Sequence, residues 1–122
     1  MIRLLIVDDD PAVRVTLTRA FSRQPDVEVV GQAADGEAAV ALAQELEPDV
    51  IVMDVQMPKL SGLEATVQLR KMGIQTPILF LTADTSASER AKQLKHVSLL
   101  LKAEVSMADT VAAVRRAAGE DD

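Results

Sequence analysis

Five short apolar runs, each followed by a helical pattern, constrain this chain more than any other feature. The runs are Ile2–Val7, Val27–Val30, Val50–Met53, Ile78–Leu81 and Val97–Leu101. Four are almost unbroken by polar residues, as strands buried on both faces are. The second reads DVEVVG, with Asp26 and Glu28 interposed. Charge of that kind suits an edge strand, where it blocks stray pairing. The gaps between the runs carry helical spacing. Pro11 stands as a first helical residue, and Val13, Leu17 and Phe21 recur along one face. Ala39, Leu42, Ala43 and Leu46 form a second stripe, Gly62–Met72 a third helix, and Met107, Val111, Val114 and Ala118 a last one. Ser86–Glu89, SASE, has the form of a capping box opening a short fourth helix. Strict strand–helix alternation implies a parallel sheet covered by helices on both faces.

The 122 residues make one domain, with a core large enough to need no staples. There is no cysteine, which excludes a disulfide framework and thiolate metal sites. No apolar stretch is long enough to span a membrane, and nothing has the form of a signal peptide, so a cytoplasmic location is expected. A net charge of −6 and only two aromatic residues, Phe21 and Phe80, argue against direct nucleic-acid binding.

Ligands of open parallel sheets bind beyond the carboxyl ends of the strands. The first run ends in Asp8-Asp9-Asp10, the third at Asp54, the fourth at Thr82 and the fifth at Lys102. Three carboxylates in one cleft would repel each other and raise each other's pKa. Lys102 and a hard cation such as Mg²⁺ would neutralise Asp8, Asp9 and Asp54, and the cation would keep open positions for a phosphoryl oxygen. Lys102 and the Thr82 hydroxyl would hold the other oxygens. That describes phosphoryl transfer to a carboxylate. Asp10, just before Pro11, reads instead as a helix N-cap. Taken singly, each of these residues has an ordinary surface or turn role. Their coincidence at strand ends argues for a site.

The chain resembles the receiver domains of bacterial two-component response regulators over essentially its whole length. The resemblance is carried by Asp8-Asp9, by VIVMDVQMP around Asp54, by SGLEA, by LFLTA with Thr82, and by Lys102 after LLL. It implies a flavodoxin-like, doubly wound five-stranded sheet of order 2-1-3-4-5 with five helices. It also implies that Asp54 is the phosphoacceptor for a sensor histidine kinase. Mg²⁺ would be held by Asp8, Asp9, Asp54 and the backbone carbonyl of Gln56, with Thr82 and Lys102 contacting the phosphoryl group. The chain is then a phosphoacceptor that assists its own phosphorylation and dephosphorylation rather than an enzyme. VEVVGQAADGEAAV and AVRRAAGE look most like receivers of regulators with a LuxR-type helix-turn-helix, which suggests transcription regulation through a C-terminal domain outside this chain. A homodimer is compatible with this reading. Residues 1–118 form the expected receiver domain, and 119–122 an acidic tail or the start of a linker.

Three departures from the family pattern bear on the output face. Leu99 replaces the usual aromatic and is expected to stay buried. KHVS, Lys95 to Ser98, replaces the usual glycine-containing approach to the fifth strand, with His96 as a surface histidine. The interval from Thr82 to Lys102 is shortened. Two rival readings remain. One is a pseudo-receiver that binds partners without phosphorylation. The other is a haloacid-dehalogenase-type phosphatase with Asp8 as nucleophile. Ala12 and the single helix after Lys102 disfavour the phosphatase.

Overall fold

The computed structural model describes residues 1–119. Strands and helices alternate as β1 (Ile2–Val7), α1 (Pro11–Ser22), β2 (Val27–Ala33), α2 (Gly36–Leu46), β3 (Val50–Met53), α3 (Gly62–Lys71), β4 (Ile78–Thr82), α4 (Ala87–Ala91), β5 (Val97–Leu101) and α5 (Met107–Ala117). Glu120, Asp121 and Asp122, most of the expected tail, lie outside the described residues.

Local chemistry sets the helix starts. The Asp10 carboxylate accepts the Ala12 N–H, with Pro11 in the first turn. Asp35 accepts the Ala38 N–H at the start of α2. Ser61 with Glu64 and Ser106 with Asp109 form complete capping boxes at α3 and α5. Each such cap satisfies N–H groups that the helix itself leaves unpaired. The SASE box does not form. Ser86 donates its hydroxyl to Asp84 Oδ1 at 2.6 Å, and its N–H to the same oxygen at 2.9 Å. Ser86 itself has helical backbone angles, φ −83° and ψ −10°, in place of the extended ones from which an N-cap oxygen reaches the first-turn N–H groups, and Glu89 pairs instead with Lys92.

The five strands are all parallel, in the order β2-β1-β3-β4-β5. Alternate residues face two cores. Leu5, Val7, Ile51, Met53 and Phe80 pack beneath α2, α3 and α4. Leu4, Ile6, Val52, Leu79 and Leu81 pack against Leu17 and Phe21 of α1 and Val111 and Val114 of α5. β2 lies at one edge, as its charges suggested, with Glu28 exposed beside Arg3. Its pairing slips by one residue between Val29 and Gly31, and it runs on through Ala33, three residues past the apolar run.

β5 departs from expectation. It is the other edge strand; Ser98 is exposed and its other four residues, Leu99 among them, are half-buried. The apolar run alone suggested burial on both faces. An edge strand beside a helix of five residues cannot be covered that fully. The altered KHVS segment is held in a specific way. His96 is exposed and left-handed, with φ 57°. The Arg70 guanidinium donates to the carbonyls of Ile74 at 2.9 Å, Lys95 at 2.8 Å and His96 at 3.4 Å. One arginine thereby ties the end of α3 to the entry of β5.

Candidate functional site

The strand order brings the acids together. β1 and β3 are neighbours, with Val7 opposite Met53, and the Asp54 N–H continues their ladder by donating to the Val7 carbonyl at 3.0 Å. Asp8 and Asp54 therefore follow adjacent strand ends. On the far side, the Lys102 N–H donates to the Thr82 carbonyl at 2.9 Å, extending β4 and β5 in the same way.

Carboxylate oxygens of Asp8, Asp9 and Asp54 all lie within 4.8 Å of one another. Asp8 is buried, Asp54 half-buried and Asp9 exposed, so the cluster grades from core to solvent. Lys102 Nζ stands 3.0 Å from Asp8 Oδ2 and 3.2 Å from Asp54 Oδ2. The other Asp8 oxygen accepts the Asp10 N–H at 2.9 Å. Gln56 donates its N–H to Asp54 Oδ1 at 3.4 Å. Burial raises the Asp8 pKa, and the Asp10 N–H and Lys102 only partly offset it. Burial likewise opposes the charged form of Lys102, but Asp8 and Asp54 together outweigh it and raise its pKa. The ammonium stays charged between two acids.

An open cavity of about 450 Å³ lies over this cluster, lined by Asp9, Asp54, Gln56, Thr82, Ala83 and Asp84 among others. A larger one of about 760 Å³ lies between α3 and the α4 segment, over Leu60, Leu63, Val67 and Leu94. We place the chemistry in the smaller cavity, because the acid cluster opens there. The Thr82 side chain is buried, and its oxygen accepts the Asp84 N–H at 3.1 Å. Every residue singled out at a strand end thus falls at this edge of the sheet, and Gln56 lines the cavity. The donor set suits a small hard cation: three carboxylates and no sulfur or imidazole.

Three residues near the site escaped the sequence reading. Arg14 donates to the Asp8 carbonyl at 2.6 Å. Asp84 collects Ser86, Arg90 and Gln56 around its carboxylate. Gly62 packs directly on the Asp54 backbone. The available signal was slight: a glycine immediately after the Ser61 cap, and an acid two residues past Thr82.

A doubly wound parallel sheet with an acid cluster beyond the ends of its first and third strands defines the flavodoxin-like α/β class of domain. Within it, the model of the response regulator receiver domain matches residues 4–115, and the chain belongs to that family. The response regulator protein VraR of Staphylococcus aureus is 41% identical over 117 residues, covering 94% of this chain and 56% of that protein. The chain spans little more than half the length of such relatives. The signal receiver domain of the putative response regulator NarL from Mycobacterium tuberculosis superposes with a TM-score of 0.87 at 30% identity, covering 98% of both chains. A LuxR-family two-component response regulator from Aurantimonas sp. SI85-9A1 gives a TM-score of 0.90 at 30% identity, covering 98% of this chain and 86% of that one. Among the described residues, no helix is long and apolar enough to cross a membrane.

Proposed function

We propose that the chain takes a phosphoryl group onto Asp54 from the phosphohistidine of a sensor histidine kinase. An Asp54 carboxylate oxygen attacks phosphorus, the P–N bond breaks, and the imidazole leaves with its electron pair. The product is an acyl phosphate. Asp54 suits the role because its side chain both lines the cavity and touches Lys102. Lys102 and Thr82 hold the transferring oxygens, which carry the developing charge. Asp8, Asp9, Asp54 and the Gln56 carbonyl are the residues to hold Mg²⁺, which when bound would neutralise charge on the phosphoryl group. The same residues serve water attack on the acyl phosphate, so the domain assists its own dephosphorylation.

The observation that carries this reading is the Lys102 ammonium within 3.2 Å of both Asp8 and Asp54, in a cluster of three carboxylates. Burial weighs against Asp8 as a phosphatase nucleophile: Asp8 is 2% exposed, whereas Asp54 is half-buried and lines the cavity. The cluster weighs against a pseudo-receiver, which has no need of it. Coupling to a LuxR-type DNA-binding domain, and through it to transcription, is the corresponding proposal for the whole protein.

Incubation with a small phosphodonor and Mg²⁺, followed by intact mass measurement, tests the assignment. One phosphoryl group is expected on the parent and none on Asp54→Asn. Uptake that persists in Asp54→Asn would sink the proposal. In metal titrations, Asp9→Asn should lose far more Mg²⁺ affinity than Asp10→Asn, whose carboxylate caps α1; equal losses would refute that division.

A further inference from the structure

The three oxygens of Asp8 are all engaged. Asp10 N–H and Lys102 take the carboxylate. The backbone carbonyl, one residue past the end of β1, is met by Arg14 Nη1 at 2.6 Å. Asp8 is almost wholly buried, and a carbonyl left unpaired there is costly. Arg14 lies half-buried near the start of α1. Its own N–H closes the first helical turn on the Asp10 carbonyl, so the helix start and the acid segment are joined twice through one residue.

The choice of partner is informative. An arginine is built to fork onto carboxylates, and three stand together close by. Among the described residues, the Arg14 guanidinium makes no ion pair and takes only this carbonyl. That carbonyl belongs to the peptide linking Asp8 to Asp9. The orientation of this peptide sets how the two carboxylates sit relative to each other.

We propose that Arg14 is a positioning residue for the cation site, holding the Asp8–Asp9 peptide so that both carboxylates face the cluster. This rests on the Mg²⁺ reading above. Two effects of removing Arg14 oppose each other, which makes the sign decisive. Loss of a positive charge beside three acids would tighten binding of a cation. Loss of the peptide's anchor would weaken it, and disturbing the groups that orient metal ligands typically costs about 10- to 100-fold in affinity.

The test is Mg²⁺ titration by calorimetry of the full chain, as parent, Arg14→Met, Arg14→Gln and Arg19→Met. Arg19 is an exposed residue of the same helix, so its substitution removes equal charge without touching Asp8. Both Arg14 variants should bind Mg²⁺ about 10-fold more weakly. Arg19→Met should bind as tightly as the parent or more tightly. In the metal-free proteins, the Asp9 and Asp10 amide resonances should move in the Arg14 variants and stay in place in Arg19→Met. A purely structural role would lower the melting temperature and leave the affinity of the folded protein unchanged. Parental or tighter Mg²⁺ binding by either folded Arg14 variant overturns the proposal. If the parent itself takes up no Mg²⁺, the reading of the site fails as well; if the parent binds and the Arg14 variants match it, only the role of Arg14 falls.

Discussion

Replacing Gly62 by alanine should damage both stability and phosphoryl uptake, although Gly62 contributes no side chain to the site. Gly62 opens α3, and its N–H donates to the Val55 carbonyl at 2.7 Å. A Cβ there would stand 3.0 Å from Phe80 Cε1 and 3.1 Å from Val55 Cα, and closer still to the Asp54 carbonyl oxygen. Ordinary carbon–oxygen contacts begin at about 3.3 Å, so the Asp54 carbonyl or the helix start must give by about 1 Å. Overpacking of this kind costs about 1–3 kcal/mol. The higher helix propensity of alanine returns up to about 1 kcal/mol. A net loss of about 1–2 kcal/mol should lower the melting temperature by about 3–10 °C in a domain of this size. A displacement of about 1 Å at a reacting group can reduce rate by about 100-fold. The assays are thermal unfolding and the rate of phosphorylation from a small phosphodonor. Gly73→Ala is the control. Gly73 has φ +80° and open space around it, so alanine there strains the backbone without pressing on Asp54. It should lose stability and keep its rate, whereas Gly62→Ala should lose both. A Gly62→Ala protein phosphorylated at the parental rate would refute this reasoning.

Arg70→Met should lower stability by about 1–2 kcal/mol, since three carbonyls lose a charged donor and water replaces it only in part. Hydrogen exchange should quicken at His96 to Ser98 and not in α5; unchanged exchange there would show that the loop holds without Arg70. Arg115 hydrogen-bonds Asp26 and holds its carboxyl below the usual carboxylate range. A lowered acid pKa stabilises the fold above the unfolded-state pKa, and that contribution disappears as pH falls through the folded-state value. Asp26→Asn should therefore melt earlier than the parent at pH 7, with the gap closing in acid; a gap that widens in acid would contradict the pairing. Leu99 borders a cavity of about 260 Å³ with Ser88, Ala91 and Lys92, so Leu99→Tyr should fold stably and enlarge the chemical-shift response to a phosphoryl mimic. No enlargement would mean that the missing ring does not limit switching.

Much of this protein was legible in order along the chain, because the interactions responsible are local. The Asp10–Pro11 start of α1 depends on groups two residues apart, and the alternation of apolar runs with helical stripes needs no knowledge of neighbours. Asp8, Asp54, Thr82 and Lys102 could be singled out because each directly follows an apolar run, and Asp9 because it adjoins Asp8. Their convergence could not be derived that way. It depends on β1 lying between β2 and β3, an order that came from family resemblance and not from periodicity. Where two local signals competed, the chain gave no ranking. Ser86 had the spacing of a cap, but the turn in which its N–H and hydroxyl both donate to Asp84 leaves it with helical backbone angles that do not present its oxygen to the helix start. The apolar run of β5 likewise could not reveal that its outer edge would lack a neighbour. Arg14, Gly62 and Arg70 have their roles through approaches across space: a guanidinium under the Asp8 carbonyl, a missing Cβ against Asp54, and a side chain spanning α3 and the β5 entry. Such roles are set by packing between distant segments, whereas local spacing encodes only the elements that are packed.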